Sequence, residues 1–448
     1  MPFTRLGRRS TGAAALATIS ALALAACSSG DSDSDASASD AGGDTMEPVE
    51  LSWLLDDTEA TRERAQALAD AYTEANPNVT FAFDSRPGGT EGDNIIKTRL
   101  QTGDMNDLFW YNSGSLFQAL APSQTLLPID DIANAGAIQD TYKEGVTADG
   151  VLYGVPVEAA MGGGVLYHIP TYERLGLEIP VTWDEFIANS EAIKEDGEVA
   201  PIIQTYGDTW TSQLFVLGDN YNVLADNPDF ADQYTANEAH YADTPEALAG
   251  FEHLQEVNEK DLLNEDYATA TYADGLRMVS TGEGAQYPML TFAVTEIQNT
   301  YPDNVADVGF FAIPGDDPDD AGLTTWLGAG VYSPNTTENA DAVKDFMNWI
   351  ATPEACDVLT SAGGATGPYF IDGCELPADV PQATADMLPY FEAGLTAPAL
   401  EFLSPVKGPN LENITVEVGS GIRGAEDAAA FYDEDVKKQA QQLGLEGW

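Results

Sequence analysis

Carboxylate, amide and aromatic side chains stand at the points where predicted strands of this chain end. Asp56 and Asp57 follow the first strand directly, and Trp110, Tyr111 and Asn112 end the third. Flat aromatic faces suit the apolar C–H faces of a sugar ring, while carboxylates and amides exchange hydrogen bonds with its hydroxyl groups. Because open α/β sheets bind ligands beyond the carboxyl ends of their strands, these residues are candidates for a ligand site, and their side chains would suit a carbohydrate.

Further candidates lie later in the chain. Glu158 follows a Val-Pro-Val run, where a charged side chain needs a partner. Trp326 stands in a glycine-rich turn that would let the backbone approach a ligand closely, which makes it the best stacking candidate. The other candidates are Tyr206, Asp208, Trp210, Tyr287, Phe292 and Tyr369. A structural role competes for each of these residues, as a helix cap for an aspartate or as core packing for an aromatic ring.

Alternating strands and helices would position these residues. Apolar residues at the helical spacing i, i+3, i+4 and i+7 are Ala65, Leu68, Ala69 and Tyr72. The predicted elements are a strand over 49–55, this helix ending before Pro77, a strand over 79–83, a helix over about 94–102 and a strand over 108–111. That order predicts a mostly parallel sheet with helices on both faces.

A second series of elements begins after Gly154. Thr182-Trp-Asp-Glu185 is a capping box that begins a helix, and Thr244-Pro245 begins another. Short strands are predicted over 164–167 and 201–204, and later helices over 343–350 and from Thr352. The chain has no short-period repeat, which argues against a solenoid or a propeller.

Residues 1–26 have the organisation of a signal peptide. Arg5, Arg8 and Arg9 precede a short apolar stretch over 11–26 that is too short to span a bilayer. Leu24-Ala-Ala-Cys27 resembles the lipobox of bacterial lipoproteins, in which the cysteine becomes the first mature residue and carries lipid. We therefore expect an exported protein, anchored by lipid to the outer face of the bacterial cytoplasmic membrane. An ordinary signal peptide with an incidental cysteine is the alternative.

The segment after the cysteine has no large apolar residue from Ser28 to Thr45. Such a composition predicts a flexible spacer, so that 27–47 would join the lipid to a folded part that begins near Pro48.

Acidic residues dominate the rest of the chain. All 74 of them and 15 of the 18 basic residues follow position 26, which leaves a formal charge of −59. Such a charge argues against nucleic acid and against direct docking on anionic lipid, so the lipid would be the only contact with the membrane. The excess indicates either a solvated acidic surface or a cationic partner.

Cys356 and Cys374 are the only cysteines besides Cys27. In an exported protein two such cysteines most often form a disulfide, which for this short loop would stabilise by roughly 3 kcal/mol. No histidine or further cysteine stands at zinc-ligand spacing, so we expect no metal and no other cofactor.

The sequence holds little that indicates catalysis. It contains no His-Glu-x-x-His, no Gly-x-Ser-x-Gly and no Walker A motif. Gly419-Ser-Gly-Ile-Arg-Gly424 matches the dinucleotide-binding pattern and follows the strand-like stretch 414–418. It lies too close to the C-terminus for a second strand with a ribose-binding carboxylate to follow. With 74 acidic residues, a carboxylate pair suited to a glycosidase can always be found and has no weight without geometry.

Several segments, in this order, resemble one family. They are Lys97-Thr-Arg-Leu-Gln-Thr-Gly-Asp104, Asp107-Leu-Phe109, Tyr153-Gly-Val-Pro-Val157, Val165-Leu-Tyr167, Leu175-Gly-Leu177, Thr182-Trp-Asp-Glu-Phe186, Gly282-Glu-Gly-Ala285, Gly328-Ala-Gly-Val331, Ala342-Val-Lys-Asp-Phe346 and Thr352-Pro-Glu354. The family is that of the extracellular solute-binding proteins, family 1, of ABC importers, which includes the maltose- and oligosaccharide-binding proteins. The resemblance covers the chain from about Pro48 to its end.

The resemblance implies a two-lobed, periplasmic-binding-protein-like α/β fold: two doubly wound sheets joined by a hinge of three crossovers. The ligand would lie between the lobes, which close by hinge motion. We expect crossovers near Glu158, Gln286 and Ala351. These assign 48–157 and 287–350 to lobe one, and 158–286 and 351–448 to lobe two.

The expected function is that of a monomeric substrate-binding lipoprotein, which delivers a di- or oligosaccharide to the membrane permease subunits without catalysis. Two alternatives stay open. A polyamine or other cation could be bound by Asp56, Asp57, Glu158 and Asp208. A surface glycan hydrolase is the less favoured alternative.

Overall fold

The structure is a computed structural model that describes residues 47–318, 321–364 and 366–448. The predicted signal peptide, the lipid-acceptor Cys27 and the spacer to Thr45 lie outside the described residues. No helix within the described ranges is both long and apolar enough to cross a membrane.

The strands alternate with helices along most of the chain. They are β1 (Val49–Asp56), β2 (Val79–Arg86), β3 (Leu108–Tyr111), β4 (Thr147–Ala148), β5 (Val151–Leu152), β6 (Val155–Pro156), β7 (Met161–His168), β8 (Ala200–Ile202), β9 (Gly284–Leu290), β10 (Val308–Ala312), β11 (Leu323–Trp326), β12 (Gly330–Tyr332) and β13 (Thr396–Pro398).

The helices vary in length from one turn to five. They are α1 (Glu59–Ala75), α2 (Gly89–Thr102), α3 (Ser115–Gln118), α4 (Pro122–Thr125), α5 (Asp140–Gly145), α6 (Ile169–Leu175), α7 (Trp183–Asp196), α8 (Leu214–Leu217), α9 (Asn220–Asp226), α10 (Phe230–Thr235), α11 (Pro245–Glu259), α12 (Tyr272–Thr281), α13 (Ala293–Thr300), α14 (Ala340–Ile350), α15 (Pro353–Gly363), α16 (Gln382–Ala393), α17 (Leu400–Leu403), α18 (Leu411–Gly419) and α19 (Ala425–Leu443). Short 3₁₀ helices cover Ala135–Ala137, Thr209–Gln213 and Val305–Asp307.

The first sheet has the strand order β2-β1-β3-β12-β6. β1 pairs in parallel with β2 and with β3, as the sequence predicts for this part of the chain. β12 joins antiparallel to both β3 and β6. We call the part of the chain that packs on this sheet lobe one.

The second sheet has the order β13-β11-β7-β9-β8, with β10 also paired to β7. β7 is antiparallel to β9, β10 and β11, whereas β8 and β13 join in parallel. The prediction of a mostly parallel sheet is therefore wrong for this half, which we call lobe two. Alternation of helices and strands does not exclude antiparallel pairing, because a strand that follows a helix can pair with a neighbour that runs in the opposite direction.

The chain crosses between the sheets at positions that differ in part from the predicted ones. It leaves β6 and enters β7 around Glu158, where we expected the first crossover. β9 does not break at Gln286 but continues along β7 to Leu290, and the second passage runs from β11 to β12 instead. α15 packs on α1 in lobe one, so the third passage follows Ile371, which is bridged to Ile138.

α1 shows how the sequence positions the first strand's end. Thr58 caps the helix by accepting a hydrogen bond from the Thr61 N–H at 3.3 Å. The predicted apolar face is buried, with Leu68 fully inaccessible to solvent and Tyr72 packed against Phe346 of α14. Burying that face holds α1 against β1, which places the β1–α1 turn at the edge of the sheet.

The stretch 414–418, which read as a strand, is helical and belongs to α18. A glycine-containing turn separates α18 from α19. Ile414 and Val418 are buried against the core of lobe two, so their apolar character serves helix packing and not a strand before a dinucleotide site.

A disulfide joins Cys356 of α15 to Cys374, with a Cα–Cα distance of 6.0 Å. The loop that it closes precedes the third passage between the lobes and includes Tyr369 and Ile371. The bond thus ties the start of this passage to α15 in lobe one.

Replacing both cysteines by alanine should lower the free energy of unfolding by about 3 kcal/mol, because the unfolded chain regains the freedom of the closed loop. Urea denaturation of the variant and the unmodified protein measures the difference. A reductant should destabilise the unmodified protein to the same extent and leave the variant unchanged. Equal stability of both proteins without reductant would contradict the expectation.

Asp219, between α8 and α9, is a buried carboxyl group in lobe two. Its Oδ1 accepts a hydrogen bond from Asn222 Nδ2 at 2.7 Å, and burial raises its pKa to about 8. Because this pKa exceeds the value of about 3.9 in the unfolded chain, the folded state holds the proton more tightly. The group's contribution to stability is therefore complete below pH 4 and is lost as the pH rises towards 8.

Asp219→Asn should flatten this pH dependence and make the variant more stable than the unmodified protein at pH 8. The upper limit of the effect is about 1.4 kcal/mol for each pH unit between the two pKa values. Urea denaturation at pH 4, 6 and 8 measures it, with Asp104→Asn on the surface as the matched control. Parallel pH profiles for the unmodified protein and Asp219→Asn would contradict this assignment.

Candidate functional site

A pocket of about 320 Å³ opens where β1, β2 and β3 end. These strands are parallel, so their last residues Asp56, Arg86 and Tyr111 lie along one edge of the sheet. We call this cavity the strand-end pocket. The polar and aromatic residues that line it are Asp56, Thr58, Arg86, Asp93, Trp110, Tyr111, Asn112 and Glu158. The candidates Asp56, Trp110, Tyr111 and Asn112, selected because they stand at strand ends, line this pocket together.

Asp56 faces the pocket but is also held by the start of α1. Its Oδ1 accepts hydrogen bonds from the Thr58 N–H at 3.0 Å and the Thr58 hydroxyl at 2.6 Å, and its Oδ2 accepts one from Thr61 at 3.0 Å. The carboxylate therefore organises the β1–α1 turn as well as lining the cavity. Asp57 is exposed and is not among the residues that line the pocket.

The three candidates at the end of β3 differ in exposure. Trp110 is 2% exposed and stacks on Trp53, with ring centroids 6.1 Å apart, so little of its ring is accessible from the cavity. Tyr111 is also buried, and this burial, assisted by the nearby Asp93 carboxylate, raises its pKa well above the usual range. Asn112 is exposed, so its amide is the group of this trio that is free to face a ligand.

Arg86 is a lining residue that the sequence analysis missed. Its Nη1 donates to the Pro87 carbonyl at 3.0 Å and its Nη2 to the Trp110 carbonyl at 3.4 Å. The guanidinium lies over the Tyr111 ring at 5.6 Å from the centroid. Arg86 is the last residue of β2, three residues beyond the end that the sequence predicted for this strand, so its strand-end position was not recognised.

Glu158 is where the first two passages between the lobes meet. Its Oε2 accepts a hydrogen bond from the Ala329 N–H at 2.8 Å, and its Oε1 lies 3.4 Å from Arg64 Nη1. The partner that a carboxylate after Val-Pro-Val would need is thus supplied by a second passage and by α1. Glu158 lines the strand-end pocket and also a smaller cavity on its other side.

That smaller cavity, of about 30 Å³, lies between the lobes, and we call it the crossover pocket. Arg64 and Tyr369 reach it from lobe one, and Met161 and Phe292 from lobe two. The Tyr369 hydroxyl hydrogen-bonds to Thr360, and burial raises the pKa of Tyr369. Two predicted residues from distant parts of the chain, Phe292 and Tyr369, therefore share one cavity.

Phe292 belongs to a cluster of three half-buried rings on lobe two, which we call the aromatic cluster. Trp210 lies 5.3 Å from Tyr272 and 6.1 Å from Phe292 between ring centroids, and Tyr272 lies 5.9 Å from Phe292. Asp208 accepts a hydrogen bond from the Tyr272 N–H at 2.7 Å, which fixes the start of α12 beside Trp210. Trp210, Phe292 and Asp208 are among the residues predicted from the sequence, whereas Tyr272 is not, because it begins a helix and carries no other signal.

Three of the predicted aromatic residues lie inside lobe two. Tyr206 is packed against Gly419, and Tyr287 hydrogen-bonds through its hydroxyl to Thr205 at 2.8 Å. Trp326 is 7% exposed, its ring lies against Gly163, and its Nε1 donates to Glu401 at 2.8 Å. In this arrangement their rings have no open face for stacking, because neighbouring elements that the sequence does not reveal cover them.

Comparison with known proteins identifies a family. A sequence model described as bacterial extracellular solute-binding protein matches residues 57–355. The chain is 22% identical over 312 residues to the multiple sugar-binding protein of Streptococcus mutans serotype c, a match that covers 67% of this chain and 70% of that protein.

Solved structures with the same fold include two sugar-binding proteins. A chitin oligosaccharide binding protein superposes with a TM-score of 0.74 at 22% identity, covering 88% of this chain and 99% of its own. The solute-binding protein RafE in complex with raffinose superposes with a TM-score of 0.71 at 19% identity, covering 86% and 99%. These similarities confirm the predicted two-lobed α/β fold.

The role of Glu158 at the crossover is testable by two substitutions. Glu158→Ala removes the acceptor for the Ala329 N–H and should lower the free energy of unfolding by about 1–3 kcal/mol. Glu158→Gln keeps that acceptor and loses only the partly exposed ion pair with Arg64, at a cost below about 1 kcal/mol. Urea denaturation distinguishes them, and equal costs would mean that the backbone contact is not what holds the crossover.

Proposed function

The chain belongs to the family of bacterial extracellular solute-binding proteins, and on that premise we propose that it captures a carbohydrate, a di- or oligosaccharide, between its two lobes and delivers it to the permease of an ABC importer. The family predicted from the sequence is confirmed by the match over 57–355.

The observation that carries the proposal is the chemistry of two sets of residues, one from each lobe, that adjoin the cavities beside Glu158. Lobe one contributes the strand-end pocket, with the donors Arg86 and Asn112 and the acceptors Asp56, Asp93 and Glu158. Lobe two contributes the aromatic cluster of Trp210, Tyr272 and Phe292, whose Phe292 reaches the crossover pocket beside Glu158. A sugar presents hydroxyl groups around its rim and C–H groups on its faces, so it matches a polar wall opposite aromatic rings.

Among the predicted candidates, we assign ligand contact to Asp56, Asn112, Glu158, Trp210 and Phe292, with edge contacts from Trp110 and Tyr369. Closure of the lobes would expel water from this space and strengthen every polar contact made there. The named solute of the Streptococcus mutans relative, multiple sugars, supports the assignment of a carbohydrate.

Binding without chemistry fits the carboxylates of the cleft. Those of Asp56 and Glu158 already accept hydrogen bonds from the protein's own backbone or hydroxyl groups, which holds each in place as an acceptor. A glycan hydrolase would need one carboxylic acid to give up a proton and another to attack or activate water. We therefore assign a receptor function, and glycan hydrolysis is the less favoured alternative.

A polyamine or other cation is the second candidate, favoured by three carboxylates at one pocket. The aromatic cluster distinguishes the two classes of ligand. Stacking on its rings contributes to the affinity for a sugar, whereas charge contributes most of the affinity for a flexible cation.

The N-terminal segment adds the location. We propose that Cys27 carries lipid, that the chain is exported and held at the outer face of the bacterial cytoplasmic membrane by that lipid, and that it works there as a monomer. The lipobox-like Leu24-Ala-Ala-Cys27 and the extracellular family support this location.

A thermal-shift screen of neutral sugars, acidic sugars and polyamines tests the proposed function, because a ligand that binds only the folded state raises the melting temperature. We expect a rise with one or more di- or oligosaccharides and none with polyamines. A rise with polyamines alone would favour the cation receptor, and turnover of a labelled oligosaccharide would establish the hydrolase.

The bound sugar should then lose affinity when a ring of the aromatic cluster is removed. Trp210→Ala and Phe292→Ala should each weaken binding about tenfold, as expected for loss of a stacking contact of roughly 1–1.5 kcal/mol. Isothermal titration calorimetry measures the change. Trp349→Ala, on α14 of lobe one and outside both pockets, is the control for loss of a tryptophan and should leave affinity unchanged. Unaltered affinity in both cluster variants would exclude the cluster from the site.

A further inference from the structure

Arg86 is unusual for its charge environment. It is 6% exposed and is the one buried lysine or arginine within the described ranges. Most basic residues of those ranges pair with a carboxylate, as Arg64 does with Glu158, yet Arg86 forms no ion pair with any described residue. In a chain with 74 acidic and 18 basic residues, a buried cation without such a partner needs an explanation.

The guanidinium also has donor capacity to spare. Its contacts with the carbonyls of Pro87 and Trp110 leave most of its five N–H groups uncommitted, and its Nε has no hydrogen-bond partner. A buried donor without a hydrogen-bond partner destabilises the protein by its desolvation penalty. A ligand that supplies an acceptor here would remove this penalty and so gain affinity. Arg86 lines the strand-end pocket, so a ligand in that pocket lies beside it.

The first turn of α2 lies against the same guanidinium. A Cβ on Gly92 would come within 2.4 Å of Arg86 Nη1, so only glycine allows this approach. The helix has fourteen residues and no side chain caps its N-terminus at Gly88. A Cβ at Gly88 or Gly89 would meet nothing within 4 Å, which leaves the backbone open on the side of the pocket that these glycines line. The N–H groups and dipole of a helix N-terminus favour negative charge.

Two positive features therefore converge on one corner of the strand-end pocket. Resting on the proposed function as a sugar receptor, we propose that the ligand carries a carboxylate, as a sugar that contains a uronic acid does. Arg86 binds this carboxylate through its planar fork, and the N-terminus of α2 adds backbone donors. Two parallel N–H···O bonds to a carboxylate fit a guanidinium better than any single hydroxyl does.

The carboxylates of the pocket differ in how strongly they would repel the carboxylate of a ligand. Asp56 is occupied by the hydroxyls of Thr58 and Thr61, and Glu158 by Ala329 and Arg64. Asp93 is left as an acceptor for the hydroxyl groups of the same sugar. The remaining acidic surface repels an anion only over short range, because salt screens exposed charges beyond about 8 Å at physiological ionic strength.

Calorimetry with matched pairs of disaccharides tests the inference on the full-length protein. Each pair has one member with a glucuronate, galacturonate or mannuronate residue and one in which that residue is the corresponding neutral hexose. We expect the acidic member of at least one pair to bind about tenfold more tightly than its neutral counterpart, the gain of one charge-assisted contact.

Arg86→Gln should then abolish the preference by weakening the acidic sugar about tenfold and the neutral sugar far less. Arg86→Lys should restore part of it, since it keeps the charge but loses the fork. Arg62→Gln, which removes a positive charge from the exposed side of α1, is the control and should preserve the preference. The comparison within each pair needs no variant, so it decides the matter even where a substitution impairs folding.

The outcomes separate this inference from the proposed function. Binding of neutral sugars with equal or greater affinity than their acidic counterparts overturns the carboxylate inference alone. Absence of binding by every sugar tested, neutral or acidic, overturns both. A preference for the acidic member that survives Arg86→Gln shows that another group recognises the carboxylate and overturns the assignment to Arg86.

Discussion

Parallel pairing of β1, β2 and β3 is the constraint on which the proposed site depends. Parallel strands end at the same edge of a sheet, so Asp56, Arg86 and Tyr111 come together although they are far apart in sequence. The helices that follow β1 and β2 begin at this edge. Their first turns therefore complete the walls of the strand-end pocket, through Thr58 on one side and Gly88 and Gly89 on the other.

The second wall depends on how the chain passes between the lobes. Glu158 on the first passage accepts the Ala329 N–H of the second, and Arg64 joins this contact from α1. In the segment before the third passage, the Pro368 carbonyl accepts a hydrogen bond from the Ala160 N–H of the first passage at 2.7 Å. The first passage is thus bonded to the second and to the segment before the third, beside the crossover pocket that both Phe292 of lobe two and Tyr369 line.

Two arginines lie at the cleft of this acidic protein. The chain is strongly acidic throughout, yet Arg64 and Arg86 are both set at the cleft, the first paired with a carboxylate and the second without one. A buried arginine in such a protein is better explained by what enters the pocket than by the fold, because packing alone would be satisfied by an apolar side chain of similar size.

Local sequence signals determined the elements and the fold class. The spacing of Leu68 and Tyr72, the cap at Thr182 and the strand-end position of Asp56 act over a few residues, and the structure has the corresponding helices and turn. The order of short family motifs also predicted a two-lobed solute-binding protein. Such signals do not reveal which sheet a strand joins. Residues 287–350 were assigned to lobe one, but β9 and β10 pair in the sheet of lobe two.

Burial of single side chains was likewise decided by the tertiary structure. Trp326 and Trp210 both stand in loops or turns of the sequence, yet Trp326 is covered by Gly163 and bonded to Glu401, while Trp210 stays half-exposed among the rings of the aromatic cluster. Arg86 gains its significance only where α2, β3 and the pocket meet. Residue type and local spacing are written in the sequence, whereas exposure and partners depend on segments that pack together from distant parts of the chain.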